Sequence, residues 1–211
     1  MATTTPNYGW TVPTSTDLVK DGATAIETLG DAIDASMNTA LGTKKAGMVL
    51  LNTTSFSGVA SQSVNDVFSA TYTSYKIIIR ITDTASDGFM NLRFRVSGTD
   101  ATAANYSGAY YGISAVFAND AGGNSAQTSA YVGYSKNTAE FAFSAVELVN
   151  PFLTQPTIFN SIAAYKNQAN NITILNAGGG LDNTTSYTGF TLLMPGGGNA
   201  TGVVSTYGYN L

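Results

Sequence analysis

The chain changes its hydrophobic period once. Between about residues 16 and 41, Ile26, Leu29, Ile33 and Met37 recur at intervals of three and four, the spacing of one helical face. Ser15 or Thr16 can cap this helix, and Asp17 suits its positive N-terminal end. Gly22 and Gly30 each weaken it by about 1 kcal/mol relative to alanine, so it needs tertiary or quaternary packing to persist. The stripe is as narrow as a coiled-coil seam but covers barely two heptads. Two arrangements are open: a helix lying on its own β domain, or a bundle about a symmetry axis. Residues 1–14 precede it, with Pro6, Gly9 and Pro13 around Tyr8 and Trp10. Proline blocks helix and central strand, so this segment reads as an extended arm. Tyr8, Trp10 and Pro13 then bury themselves against their own domain or dock onto a neighbouring protein.

From Met48 onward the period is two. Tyr75 to Ile81 is apolar on nearly both faces, as in a central strand. Met90, Leu92, Phe94 and Val96 alternate with Asn91, Arg93 and Arg95. Along 139–149, Phe141, Phe143 and Ala145 face one way, Val146 and Leu148 the other. Further strands are expected near 109–117, 157–165, 171–176, 187–193 and 202–209. Asp87-Gly88, Gly122-Gly123, Gly178 to Gly180 and Gly196 to Gly198 read as turns. Closely spaced strands without intervening helices imply an antiparallel, jelly-roll-like β-sandwich over 48–211, preceded by an N-terminal anchor over 1–47.

Composition narrows the chemistry. Hydrophobic residues make up 44% of the 211, enough for a core, while charged residues are only 10%, well below the roughly 25% usual in soluble domains. Nine scattered lysines and arginines and a net charge of -4 give no cationic cluster for nucleic acid or anionic membrane. Lys44-Lys45 reads as the charged exit of the helix. The N-terminus has neither the basic start nor the apolar core of a signal peptide, and no run reaches the ~20 apolar residues of a membrane span. Without cysteine or histidine the chain lacks disulfides, thiolates, imidazole bases and the usual zinc ligands.

No enzymatic chemistry, cofactor or metal is therefore expected. Gly-x-Ser-x-Gly is missing, and the glycine runs lack a phosphate-binding lysine. Of 13 acids, five (Asp17, Asp21, Glu27, Asp31, Asp34) fall in the anchor. Glu140 and Glu147 would occupy opposite faces of a strand, unlike a glycosidase pair. Asp83, Asp87 and Asp100 flank turns without the spacing of a calcium loop. Tyrosine is enriched, with 12 residues. Tyr106, Tyr110, Tyr111, Tyr131 and Tyr134 stand near Gly, Ser and Asn, a mixture suited to recognition surfaces and to stacking on sugar rings. Strands favour tyrosine in any case, so sheet packing competes with that reading.

Pro6 to Trp10, Thr16 to Ala23 and Ile26 to Gly30 together resemble an N-terminal module of phage fibre and minor virion proteins. Val67 to Ile77, Leu92 to Asp100 with Asn105-Tyr106, and Gly202 to Tyr209 resemble a C-terminal β domain of phage fibres. The resemblance implies a virion component, made in the bacterial cytoplasm and usually homotrimeric. Its N-terminus would hold a tail adaptor or capsid protein, and its β domain would face outward towards a host-surface glycan or protein. It also favours the helix bundle, with Ile26, Leu29, Ile33 and Met37 in contact about the axis. Fibre relatives carry a long shaft between the modules, whereas here only Gly42 to Ala46 intervene. A short tail fibre or knob and a capsid decoration or short head fibre are both compatible with that departure.

Overall fold

The computed structural model describes residues 3–16, 18–41, 47–114, 119–137, 141–166 and 171–210. Asp17, Gly42 to Ala46 (with Lys44 and Lys45) and Glu140, all invoked above, lie outside the described residues. The chain divides into two compact units, Met1–Gly47 and Met48–Asn210.

In the first unit, β1 (Thr3–Thr4) pairs antiparallel with β2 (Thr11–Val12). The Trp10 carbonyl accepts from the Thr5 amide at 2.9 Å, and the Thr5 carbonyl accepts from Gly9 at 3.0 Å. The expected extended arm is thus a closed hairpin. Pro6 sits in its loop, where no ladder amide is needed, and Gly9 supplies the left-handed turn at φ 68°. A 3-10 turn, Val19–Asp21, leads into α1 (Gly22–Leu41). The helix starts later than expected, because Ser15 and Thr16 lie in a turn and the 3-10 turn comes between them and α1. The Thr16 hydroxyl lies 3.0 Å from that of Thr14, and Leu18, at the cap position of the 3-10 turn, has no side-chain hydrogen bond.

The strands that follow are β3 (Gly47–Val59), β4 (Ser61–Val64), β5 (Ser74–Thr84), β6 (Gly88–Val96), β7 (Thr99–Asp100), β8 (Tyr106–Ser114) and β9 (Asn119–Gln127). They continue with β10 (Ala130–Ser135), β11 (Ala142–Val149), β12 (Thr157–Lys166), β13 (Ile172–Leu181), β14 (Gly189–Leu193) and β15 (Ala200–Asn210). They form a mainly β, antiparallel sandwich. One sheet has eight strands in the order β3-β15-β5-β11-β12-β13-β8-β9; the other has five, β10-β6-β14-β4 with β7 beside β6. The chain crosses repeatedly between the sheets, the jelly-roll-like feature, although the sheets are unequal.

The core lies between them. Ile77, Ile79 and Ile81 of β5 meet Met90, Leu92 and Phe94 of β6, with Val146, Leu148, Phe190, Leu192 and Val204, all fully buried. β5 lies between β15 and β11, where its apolar character predicts it. Deep in the interior the Val132 carbonyl accepts from Ser144 and, at 2.6 Å, from Ser161, whose hydroxyls lie 2.9 Å apart. Small polar side chains thus satisfy a buried carbonyl left over at the register shift of β10.

Two of the four glycine turns are not turns. Gly122-Gly123 lies within β9 and Gly178 to Gly180 within β13. A Cβ on Gly179 would run into the Ser107 carbonyl of β8, and one on Gly108 would stand 2.9 Å from the Gly178 carbonyl. The glycines let neighbouring strands approach, a strand use of the residue rather than a turn use. Gly196 and Gly197 do turn, at φ 59° and 74°.

The outward faces of the two sheets differ sharply. On the five-stranded sheet the Arg95 guanidinium donates to the hydroxyls of Ser63 and Thr191 (2.7 Å to Thr191) and to the Gly98 carbonyl, and lies 3.4 Å from Asp100. Arg93 donates to the Thr128 carbonyl at 3.0 Å. The eight-stranded sheet instead turns apolar side chains outward from its middle strands. Phe143, Ala164, Ile174 and Ile113 form one cross-strand row, and Ile78, Ala145 and Ile162 form the next.

Candidate functional site

Three groups of residues were candidates from the sequence. The first is the aromatic arm. Tyr8 and Trp10 stack with ring centroids 5.1 Å apart, and the Trp10 indole N–H donates to Ser36 Oγ on α1 at 2.9 Å. Trp10 is therefore half-buried on its own helix, whereas Tyr8 is 69% exposed. Pro13 lines a groove of about 620 Å³ with Thr11, Leu18, Ala25 and Thr28. Of the three, Tyr8 keeps the surface an outside partner would need. Trp10 has its polar handle satisfied within the unit, the outcome in which an aromatic packs against its own chain.

The second group is the helical stripe, which the structure splits. Leu29 and Ile33 are half-buried, Ile26 and Met37 exposed. The half-buried positions Gly22, Ala25, Leu29, Ala32 and Ser36 form one seam at alternating spacings of three and four. A second seam runs through Val19, Ala23, Ile26, Gly30, Ile33, Met37 and Ala40, and all of these but Ile33 are exposed. Within α1, from Ala23 to Ala40, it has the 3-4 spacing of a coiled-coil interface over about two and a half heptads. Sequence reading found its large residues but merged the two seams, because small residues carry no hydrophobic signal.

The tyrosines, the third group, separate by strand parity. Tyr106 is 1% exposed; its hydroxyl accepts from the Phe94 amide at 3.0 Å and donates to the Ala101 carbonyl at 3.1 Å. Burial pushes this phenol well up from its ordinary range. Tyr106 belongs to the core, which corrects its assignment as a ligand contact. Tyr111 turns to the other side of β8 and donates to Asn119 Oδ1 at 3.1 Å. Tyr110, Tyr131 and Tyr134 do come together, around Phe89, which the sequence reading did not single out. Their ring centroids lie 4.8, 4.8 and 5.1 Å from that of Phe89, in tilted and edge-on geometries favourable for aromatic pairs.

This cluster is half-buried and has a polar margin. Asn124 Nδ2 donates to the Tyr131 hydroxyl at 2.8 Å, and Lys136 Nζ stands 5.5 Å from the Tyr134 ring centroid. Lys136 also pairs with Asp87 at 2.8 Å, and Asp87 accepts from the Asn137 amide at 2.7 Å. Those two hydrogen bonds, Lys136 first, hold the Asp87 carboxyl below its usual range, and Asp87 in turn holds the Lys136 ammonium above its own. Tyr110 lies across Gly122, whose Cβ would stand 2.9 Å from the ring; glycine there leaves room for the side chain. The rings are tilted or edge-on to one another, and Phe89, Tyr110 and Tyr134 pack on buried Ala163, Leu175 and Ala177, so the cluster is a second, smaller core that leaves partly exposed ring edges and a polar margin at the surface. Among the described residues no group of three acidic side chains is placed to hold a metal ion, and no helix is long and apolar enough to cross a membrane.

The fold and surfaces define a class: an antiparallel β-sandwich with a hairpin-braced helix in a separate N-terminal unit. No family model, curated protein or solved structure matches the chain.

Proposed function

We propose that this chain is a structural subunit of a tailed-phage virion: a short homotrimeric tail fibre or knob that presents its sandwich for host-surface contact. The observation that carries the reading is the division into two compact units in the order the sequence resemblance implies. The first is a small anchor whose helix keeps an open 3-4 seam, and the second is a β-sandwich. Tyr8, with Pro13 beside the groove, supplies the contact to a tail adaptor or capsid protein. The Phe89–Tyr110–Tyr131–Tyr134 cluster supplies the contact to a glycan or protein on the host, through its partly exposed ring edges and polar margin.

A second reading is favoured by one specific feature. Only residues 42–46 separate helix from first strand, so no shaft can lie between the units. A capsid decoration protein or short head fibre needs no such shaft. A cryo-EM map of the intact particle, with the chain traced from its N-terminus, tests both. Density at the tail with residues 1–47 on an adaptor supports the fibre; density on the shell supports the decoration; absence from the particle overturns both. Sedimentation of the purified protein tests the assembly. A mass of three 21.9 kDa chains is expected at micromolar concentration, and a stable monomer overturns the trimer.

A further inference from the structure

We infer that the outward face of the eight-stranded sheet is the main self-association surface of this protein, covered by second copies of the same chain. The inference rests on the homotrimer reading and deepens it by naming the surface. Phe141, Phe143, Ile158, Ile162, Ile172 and Ile174 are between 43% and 62% exposed, and all but Ile158 form one continuous apolar area with Ala145, Ala164, Ile78 and Ile113. Phe141, Phe143, Ala164 and Ile172 also line a hollow of about 290 Å³ beside Arg80, together with Ala142 and Tyr165.

Size favours a protein partner. The contiguous apolar side chains, on strands ~4.8 Å apart and in rows ~6.8 Å apart, make the apolar centre on the order of 300 Å². Monomers rarely expose contiguous apolar patches beyond a few hundred Å². All eight strands and about four rows give on the order of 1,000 Å², against the roughly 800 Å² per partner that a stable interface needs.

Charge on this face is sparse and compatible with a second copy. The ion pair on this face is closed within the chain: Lys76 Nζ lies 2.7 Å from Glu147, which also accepts from the Tyr209 hydroxyl at 2.7 Å. The other cations of this face, Arg80 in the Phe143 row and Lys166 beside Ile172, stand at the margin of the apolar centre, where a rotated second copy need not oppose them. Asn160, Asn176 and Tyr111 border the apolar centre, giving the apolar middle and polar margin of association surfaces. The opposite face of the sandwich is polar, with Arg95 tied to Ser63, Thr191 and Asp100, and offers no comparable apolar area. The helical seam alone offers Ala23, Gly30 and Ala40 between its larger residues and contributes too little apolar area to hold three chains.

The full chain is the test, as wild type, as Phe143→Asp/Ile162→Asp and as Ile26→Asp/Ile33→Asp. All three are followed by sedimentation and by circular dichroism. The expected result is an oligomeric wild type, a helix variant that stays associated at micromolar concentration, and a folded sheet variant whose dissociation constant rises at least 100-fold. A sheet variant that remains associated while the helix variant falls apart overturns the inference and leaves the trimer standing. A monomeric wild type overturns both. Because the chain has no cysteine, Ile162→Cys provides a second readout independent of charge. Its maleimide reaction should be slow in concentrated protein and accelerate on dilution, unlike a Ser61→Cys control on the other sheet. Protection that is independent of concentration means that something other than a second copy covers the face, and it overturns the inference.

Discussion

Tyr106 and Tyr111 stand five positions apart on one strand, an odd separation that puts them on opposite faces of the sheet. Tyr106 pairs across the ladder with buried Leu181, Tyr111 with exposed Asn176. The composition of the segment is the same for both, so enrichment in tyrosine could not distinguish ligand contact from core. Tyr106→Phe leaves the buried Phe94 amide without an acceptor and should destabilise the sandwich by about 1–3 kcal/mol in urea unfolding. The Asp87–Lys136 pair sets a pH window. Asp87 is depressed in the folded protein, so its contribution is complete above the unfolded carboxylate value of about 4 and is lost as pH falls through the folded one. Lys136 is raised, so its contribution is present at neutral pH and is lost only as strongly alkaline pH passes its folded value. Asp87→Asn should therefore lower the melting temperature at pH 7, with the difference from wild type shrinking towards pH 3.

At the level of elements, apolar periodicity located β5, β6 and β11 well, because each carries large side chains on alternate positions. It failed for β9, whose sequence from Asn119 to Gln127 contains no large apolar residue. That strand is held by ladder bonds to β8 rather than by its own side chains. The same blindness turned Gly178 to Gly180 into an expected turn. Two substitutions separate these uses of glycine. Gly179→Ala forces a Cβ against the Ser107 carbonyl and should cost about 1–3 kcal/mol, read as a lower urea midpoint. Gly30→Ala meets nothing within 4 Å and should strengthen α1 by about 0.5–1 kcal/mol, read as higher helicity and melting temperature.

For the whole molecule, association and stability are coupled by mass action. If copies cover the apolar face, the melting temperature should rise with protein concentration, and Phe143→Asp/Ile162→Asp should remove that dependence. Calorimetry at several concentrations checks it. The sequence by itself determined that the chain is mainly β, that a helix precedes the sandwich, and that Phe143 and Val146 point to opposite sides of one strand. Those properties follow from the geometry of a few consecutive residues. Only the tertiary structure decided which of two apolar faces became the core. It alone folded the arm into a hairpin on Ser36, divided the helix into a covered and an open seam, and gathered Tyr110, Tyr131 and Tyr134 around Phe89. These outcomes depend on partners distant in the chain, such as Trp10 on Ser36 or β12 beside β11. A side chain's periodicity states that it needs a face, and only the chain's return path supplies or withholds the cover.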